Sequence, residues 1–346
     1  MWHLENKSKF RRPPGLNDVA RLAGVSHQTV SRVVNNQPRV SPETRARVQL
    51  AIDQLQYRRN NAARTLVTNR SGLLGVIAVG SALVGPTLTM SALEAAAREH
   101  GYMTLIATLR HGEPEALNQA IESCLRQGVE ALVIVASRST LAQLAIKLSL
   151  EVPVFVVGPR ASESSSPYGI GFDQVLGGRI AAEHLIGQGH HDVLHLTGPL
   201  EWVAARDRFL GWETACAELG VDGSRIRVGD WSAQSGYETG KFLAAANHMP
   251  TGIFAANDHM ALGLLHACHD FGIKVPQELS VIGFDDVSGA DHFHPPLTTV
   301  RKDSATLGTH VLQAVIAVLE GRDPDLSTLS PTLTIRASTG PPRESS

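Results

Sequence analysis

The spacing of apolar residues changes along the chain near residue 72. Before that point apolar residues recur every three or four positions, at 16–23, 30–34 and 48–55, which predicts three short amphipathic helices. Beyond it, continuous apolar runs such as LLGVIAV and ALVIVA alternate with amphipathic stretches. Such runs are typical of parallel strands that are buried on both faces of a sheet. The pattern predicts a small helical region followed by a larger α/β region.

The first two helices are separated by a tight turn. Gly24 breaks the first helix, and Ser26 offers an N-cap hydroxyl to the second. Ser41 and Pro42 form a capped start for the third helix. The solvent face of the second helix carries donors, acceptors and positive charge, which suits the major groove of DNA. An ordinary helical hairpin is the alternative that two helices alone leave open.

Candidate DNA contacts follow from the side chains of the second helix. Glutamine pairs bidentately with adenine and arginine with guanine, and each pair supplies roughly 1–3 kcal/mol of discrimination. We predict base contacts from His27, Gln28 and Arg32. Phosphate contacts, which position a protein without specifying sequence, are predicted from Ser26, Thr29, Ser31 and Arg39.

The charge is distributed unevenly. Residues 1–70 carry a net charge of +9, whereas the remainder carries −11, although the whole chain is close to neutral at −2. A basic head is typical of a protein that binds nucleic acid with a strong salt dependence. A solvated basic arm is the alternative. We expect residues 1–13 to form a mobile basic tail.

The run DVARLAGVSHQTVSRVVN, followed by VSPETRARV, resembles the DNA-binding headpiece of the LacI/GalR transcriptional regulators. The resemblance extends from about residue 16 to 342 and implies a helix-turn-helix headpiece at 14–58 and a hinge at 59–71. In the hinge it places Leu66 as a wedge in the DNA minor groove, with Asn60 and Ala63 beside it. Arg59 stands where the family commonly has proline.

For residues 72–342 the resemblance implies an α/β, two-lobed, periplasmic-binding-protein-like effector domain of doubly wound parallel sheets. Lobe one is expected to span about 72–160 with part of 296–325, and lobe two about 161–295 with 326–340. Ligands on such sheets lie beyond the carboxyl ends of the strands. A cleft between the lobes is therefore the predicted effector site.

Cleft residues are predicted from strand ends that match effector-binding positions of the family, most closely its lactose-repressor branch. These are Arg206, Trp231, Asn257 and Asp285, with Leu83 and Pro86 as an apolar wall from lobe one. Arginine, asparagine and aspartate match vicinal hydroxyls, and an indole stacks on a sugar ring. Asp285 as a helix cap and Trp231 as a core residue are the alternatives.

Two departures weaken a galactoside assignment. Galactoside-binding relatives carry an acid where Gly158 stands and an aromatic residue where Ser304 stands. The expected effector is therefore a different sugar, a sugar acid or a glycoside.

Other classes of protein are disfavoured by what the sequence lacks. It contains no GxGxxG after a strand, no Walker motif and no GxSxG elbow, so we predict no cofactor and no enzyme. The histidines lack metal-ligand spacing, and the three cysteines are widely separated. The N-terminal residues lack the apolar stretch of a signal peptide, and no run is long enough to span a membrane.

The sequence therefore predicts a cytoplasmic, homodimeric transcriptional regulator that represses carbohydrate-use genes by binding pseudo-palindromic operator DNA. No membrane partner is expected. A sugar-binding receptor for transport, or a sugar-processing enzyme with the same cleft, is the alternative.

Overall fold

In the computed structural model the chain separates into two compact units, residues 1–71 and 72–346. The structure describes residues 14–34, 37–57, 70–79, 84–109, 113–135, 151–158 and 168–343.

The first unit is a bundle of short helices. Its elements are α1 (Leu16–Ala23), α2 (His27–Val34) and α3 (Pro42–Leu55). Gly24 ends α1 in the left-handed region at φ 64°, a conformation that costs glycine little. Ser26 Oγ accepts a hydrogen bond from the Thr29 amide at 3.2 Å, and Ser41 Oγ accepts one from Thr44 at 3.3 Å. These caps satisfy amides that otherwise lack intrahelical partners.

The core of this unit takes one fully buried valine from each helix. Val19, Val30 and Val48 have no exposed surface, and smaller apolar residues of the same helices pack around them. Burial of these three side chains fixes α2 against α1 and α3, and leaves the opposite face of α2 in solvent.

The second unit has two lobes, each built on one sheet. In lobe one the parallel strands run in the order β2-β1-β3-β4-β5. The strands are β1 (Leu73–Val79), β2 (Met103–Leu109), β3 (Ala131–Val135), β4 (Val154–Val157) and β5 (Gly169–Ile170). Its helices are α4 (Val84–Glu99), α5 (Pro114–Arg126) and α10 (Ser304–Leu319).

Lobe two contains a sheet with the order β11-β10-β9-β8-β6-β7, parallel except that β11 pairs antiparallel with β10. The strands are β6 (Val193–Thr197), β7 (Ile226–Val228), β8 (Gly252–Ala255), β9 (Ser280–Asp285), β10 (Thr298–Arg301) and β11 (Thr332–Thr334). The helices are α6 (Gln174–Gly187), α7 (Val203–Glu218), α8 (Ala233–Ala244) and α9 (Asp258–Asp270).

Both sheets are covered on two faces. Alternate residues of β1 belong to different cores, with Val76 in one cluster and Ile77 in the other. In lobe two, Ile253 and Phe254 divide in the same way. Strands that are buried on both faces explain the continuous apolar runs. The predicted α/β class with doubly wound parallel sheets is confirmed.

The division of the chain between lobes differs from the boundaries drawn from the sequence. Residues 169–170, assigned to lobe two, form β5 on the edge of the first sheet, where Gly169 pairs with Val156. Residues 298–301, from the range 296–325 of which part was assigned to lobe one, form β10 inside the second sheet. Which sheet edge a short strand joins depends on long-range hydrogen bonds, and these leave no periodic signal in the sequence.

Within residues 168–343 the chain passes between the lobes after β5, after β10 and after α10. Two of these passages are bonded to each other, because the Leu329 amide donates to Gly171 O and the Asp173 amide to Leu329 O, both at 2.9 Å. The lobes are therefore joined by adjacent, paired segments. None of the helices in the described ranges has the length and apolar character needed to cross a bilayer.

Candidate DNA-reading helix and effector cleft

The side chains predicted to read bases lie on the outer face of α2. His27, Gln28 and Arg32 are exposed, whereas Val30 and Val33 of the same helix are buried in the core. The polar face is thus held outward by burial of the opposite face, which is the arrangement that a helix needs to enter a groove. Their roles in reading bases stay predictions.

The residues predicted to contact phosphates lie at the start of α2, within it and in the loop that follows it. Ser26 and Thr29 contact each other, with 2.9 Å between Oγ and Oγ1, and Ser26 caps the start of α2 by accepting from the Thr29 amide. Arg39 is exposed in the loop beyond α2, and Ser31 is half-buried. The hinge residues Asn60, Ala63 and Leu66 lie outside the described residues, so their predicted DNA contacts also stay predictions.

A cavity of about 400 Å³ lies between the two lobes. The carboxyl ends of β3, β4 and β9 open onto it through Val135, Val157 and Asp285, as expected for a ligand site on parallel sheets. Of the residues predicted from the sequence, Pro86, Trp231, Asn257 and Asp285 line this cavity. Leu83 lies outside the described residues.

The prediction for Arg206 is wrong. Arg206 is exposed and is not in the cavity wall, whereas Arg208 is buried and lines the cavity. Residues two positions apart on a helix point about 200° away from each other. On α7 the buried stripe runs through Ala205, Arg208 and Trp212, so Arg208 rather than Arg206 faces the cleft.

Arg208 is held by several oxygen atoms. Its Nε donates to Gln174 Oε1 at 2.8 Å, its Nη1 donates to the Ala256 carbonyl, and its Nη2 lies 3.9 Å from Asp285 Oδ1. The guanidinium also stacks on the Phe284 ring, with Cζ 3.6 Å from the ring centroid. A planar cation in such a setting keeps one orientation.

Lys302 is a second cation in the cavity wall. Its Nζ lies 2.7 Å from Asp285 Oδ1, and only 15% of the side chain is exposed. Burial lowers the pKa of Lys302, and the Asp285 carboxylate opposes that change. Burial likewise lowers the pKa of Arg208 to about 10, so the guanidinium stays protonated at neutral pH. Two buried cations converge on one carboxylate.

Behind this group lies Asp258, which is fully buried. Its Oδ1 accepts from the Thr299 hydroxyl at 2.6 Å, and its Oδ2 accepts from the Val287 amide at 2.8 Å. Burial, and then the nearby Asp285, raise the pKa of Asp258 to about 7, because both disfavour the ionised form.

The indole of Trp231 forms an aromatic part of the wall. One face lies against Gly198, where an added Cβ would be 2.2 Å from Cζ2 and Cη2 of the ring. Trp202 packs edge-on with 6.1 Å between centroids. Asn257 Nδ2 donates to the Trp231 carbonyl at 3.0 Å, while its Oδ1 caps α9 through the Met260 amide at 2.8 Å. Asn257 thus acts structurally as well as lining the cavity.

Backbone strain is concentrated at the same place. Trp231, Asp285 and Asp286 have φ of 72°, 114° and 56°, in the region that favours glycine. Non-glycine residues keep such conformations only where the surrounding structure imposes them, and they cluster at ligand sites. The Asp286 carboxylate is fixed by Arg336 Nη2 at 2.7 Å.

Comparison with known proteins places the chain in a family. Residues 15–60 match bacterial regulatory proteins of the lacI family, and residues 182–339 match a periplasmic binding protein-like domain. The chain is 33% identical to the lactose operon repressor of Escherichia coli strain K12 over 312 residues, 90% of this chain and 86% of that protein. It belongs to the lacI family.

A second relative and a solved structure agree over nearly the whole chain. The HTH-type transcriptional repressor PurR of Haemophilus influenzae strain PittEE is 31% identical over 333 residues, 93% of this chain and 98% of that protein. The crystal structure of the lac repressor dimer bound to operator and the anti-inducer ONPF has a TM-score of 0.84 at 32% identity, covering 95% of this chain and 100% of that one. The prediction of a DNA-binding transcriptional regulator rather than an enzyme is confirmed by this membership.

The polar residues of the cleft and its surroundings that sequence reasoning missed include Gln174, Arg208, Asp258 and Lys302. The burial stripe of α7 is a signal that favours Arg208 over Arg206. Gln174 and Lys302 sit where the chain passes between lobes, and no local pattern distinguishes them from surface residues.

Proposed function

We propose that this protein is a repressor of carbohydrate-use genes, and that a sugar-like effector bound between its lobes controls its affinity for operator DNA. It acts as a homodimer on a pseudo-palindromic operator in the cytoplasm. Its two reading helices occupy half-sites roughly 34–36 Å apart, about one turn of DNA. The observation that carries the proposal is the pairing of an exposed polar helix, α2, with a cavity that combines aromatic and fork-like polar groups.

The chemistry of the cavity supports a sugar rather than an apolar effector. Trp231 and Trp202 offer aromatic surface for the apolar face of a ring. Arg208 and Asp285 supply charged donors and acceptors for hydroxyls, and charge-assisted hydrogen bonds are about twice as strong as neutral ones. The aromatic and the charged side chains line the same cavity.

Control of DNA binding follows from linkage. The cavity takes Pro86 and Leu307 from lobe one, and Arg208 and Trp231 from lobe two, so a bound effector stabilises one arrangement of the lobes over another. If operator favours one of the same arrangements, each ligand changes the affinity of the other by a coupling free energy of typically ~1–3 kcal/mol. The hinge contacts of Asn60, Ala63 and Leu66 belong to this proposal.

Both alternatives lose support. A receptor for transport has no use for a helix-turn-helix headpiece, and family membership favours a regulator over a sugar-processing enzyme. An assay of turnover on a panel of glycosides separates the enzyme directly, since a regulator leaves every glycoside intact.

The test has two steps. Full-length protein is first used to select duplexes from a random DNA pool, and we expect enrichment of a sequence with two related half-sites. Binding to that duplex is then titrated with neutral sugars, sugar acids and sugar phosphates. A change in operator affinity of roughly 5- to 150-fold is expected for at least one compound. Selection of no duplex, or no response to any compound, contradicts the DNA half or the effector half of the proposal respectively.

A further inference from the structure

We propose that the effector is a sugar acid, a monosaccharide that carries one carboxylate, and that Lys302 and Arg208 bind this carboxylate. The inference rests on the proposed function, since it names the chemical class of the molecule that occupies the same cleft.

The first argument is the number of cations around Asp285. Lys302 Nζ and Arg208 Nη2 lie 2.7 Å and 3.9 Å from the same oxygen, Asp285 Oδ1. Their side chains are only 15% and 5% exposed. One carboxylate thus faces two buried cations, and this group carries one net positive charge. A buried charge without a partner is costly, so the group is completed by a monoanion.

The remaining ionisable residues of the wall do not supply that anion. Asp230 is exposed at the rim, and its carboxylate accepts from the Ser232 amide at 2.9 Å and the Ser232 hydroxyl at 2.5 Å. His259 is half-buried and adds no negative charge. Behind the wall, burial and the nearby Asp285 raise the pKa of Asp258 to about 7, so this carboxyl group carries only part of a negative charge at neutral pH.

The second argument is the donor capacity left in the cavity. An ammonium group has three N–H donors, and the Asp285 carboxylate, with Oδ1 2.7 Å from Nζ, takes at most one of them. The Trp231 side chain is only 9% exposed, and its Nε1 has no hydrogen-bond partner among the described residues. This buried indole N–H lacks an acceptor among the described residues, and the ammonium of Lys302 keeps donors for an acceptor on the ligand.

The third argument is the position of Lys302 between the lobes. It follows β10 of lobe two, yet its Nζ lies 3.8 Å from where a Cβ on Gly85 would be, in the first turn of α4 in lobe one. The N-terminal end of a helix carries partial positive charge. A carboxylate bound by Lys302 therefore lies within reach of both lobes, and this links recognition of the acid to the arrangement of the lobes.

The experiment measures dissociation constants of full-length protein by calorimetry. The probes are D-glucose and D-galactose, the uronates of both sugars, and their 6-phosphates. We expect at least one uronate to bind 10-fold or more tightly than its neutral parent, and more tightly than the matching 6-phosphate, since one excess positive charge suits a monoanion.

Variants assign that preference to Lys302. Lys302→Gln should reduce the ratio of acid to neutral affinity at least 10-fold, whereas Lys302→Arg, which keeps the charge, should retain a preference for the acid of threefold or more. Lys241→Gln is the matched control, because Lys241 is exposed on α8 and its loss should leave the ratio unchanged. Circular dichroism verifies that each variant folds.

The outcomes separate the two proposals. A neutral sugar that binds as tightly as its uronate overturns the sugar acid but leaves the sugar-controlled regulator intact. A tighter 6-phosphate overturns the carboxylate, and a Lys302→Gln ratio equal to wild type overturns the role of Lys302. If no probe binds, the sugar effector fails and this inference fails with it, while selection of operator DNA still tests the headpiece.

Discussion

The reading helix and the cleft use similar polar side chains in opposite surroundings. On α2, His27, Gln28 and Arg32 are exposed and nearly adjacent in the sequence. In the cleft, Arg208 and Lys302 are buried and come from distant segments. Exposed charges act over about a Debye length and are screened by salt, whereas buried charges act at contact distance and need partners.

This difference indicates how the two regions recognise their ligands. We expect the headpiece to attract a polyanion through a net charge of +9 over residues 1–70 and to read a few bases with solvated side chains. The cleft holds its donors and acceptors in one geometry before the ligand arrives, so the ordering of these side chains adds little to the cost of binding. Specificity is therefore built from local pattern in the first region and from tertiary packing in the second.

The largest expected effect separates the two regions completely. A fragment of residues 72–346 lacks α1, α2 and α3 but keeps the cores of both lobes. It should lose detectable operator binding and keep the affinity of the full chain for the effector. Electrophoretic mobility shift and calorimetry measure the two quantities, and a fragment that still shifts operator would contradict the assignment of DNA binding to the headpiece.

The next effect concerns the two arginines of α7. Arg208→Ala removes a buried guanidinium from the cavity wall, and loss of a charge-assisted hydrogen bond of about 1.5–3 kcal/mol should weaken effector binding roughly 10- to 150-fold. Arg206→Ala, at an exposed position on the same helix, is the control and should change it less than about twofold. Equal losses in both variants would place the effector elsewhere.

A smaller effect is expected at the reading helix. Gln28→Ala removes a neutral side chain, so it should weaken specific operator binding by about 1–3 kcal/mol and leave binding to random DNA nearly unchanged. Gln49 is an exposed glutamine on α3, bonded to Asp53 Oδ1 at 3.0 Å, and Gln49→Ala is the matched control. The same loss on random and specific DNA would show that Gln28 reads no base.

The smallest effect is a dependence of stability on pH. The pKa of Asp258 is raised to about 7 from an ordinary value of 3.8, so the folded state binds this proton more tightly than the unfolded state. The stabilisation is complete below pH 4 and is lost as pH rises through about 7. Asp258→Asn has no such proton, and its amide can still bond to Thr299.

The measurement is the melting temperature of both proteins between pH 5 and pH 8. The wild type should lose stability relative to Asp258→Asn over that interval. The other titrating groups are common to the two proteins, so their contribution cancels in the difference. Parallel curves would show that Asp258 stays ionised when folded.

Much of the architecture follows from short-range pattern. The three-residue and four-residue spacing of apolar side chains predicts the helices of the headpiece. Gly24 marks the end of α1, and Ser26 and Ser41 mark the starts of α2 and α3. Continuous apolar runs give the parallel strands. These features depend on the chemistry of neighbouring residues, and neighbours are adjacent in the sequence.

Which residues line the cleft depends on contacts between segments that are far apart in the sequence. Strand ends placed Trp231, Asn257 and Asp285 in the cavity wall, but the choice between Arg206 and Arg208 depended on which face of α7 is buried. Lys302 gains its partner only when β10 joins the second sheet beside β9.

The sequence by itself determined the family, the α/β class, the helix-turn-helix and the basic charge of the headpiece, because each of these depends on the local spacing and type of residues. Only the tertiary structure decided that two cations converge on Asp285, that Gly169 pairs with the first sheet, and that Arg208 rather than Arg206 faces the cavity. The physical reason is that burial and pairing are properties of the packed chain. Packing brings together residues that are far apart in the sequence, and no local sequence pattern indicates that they are in contact.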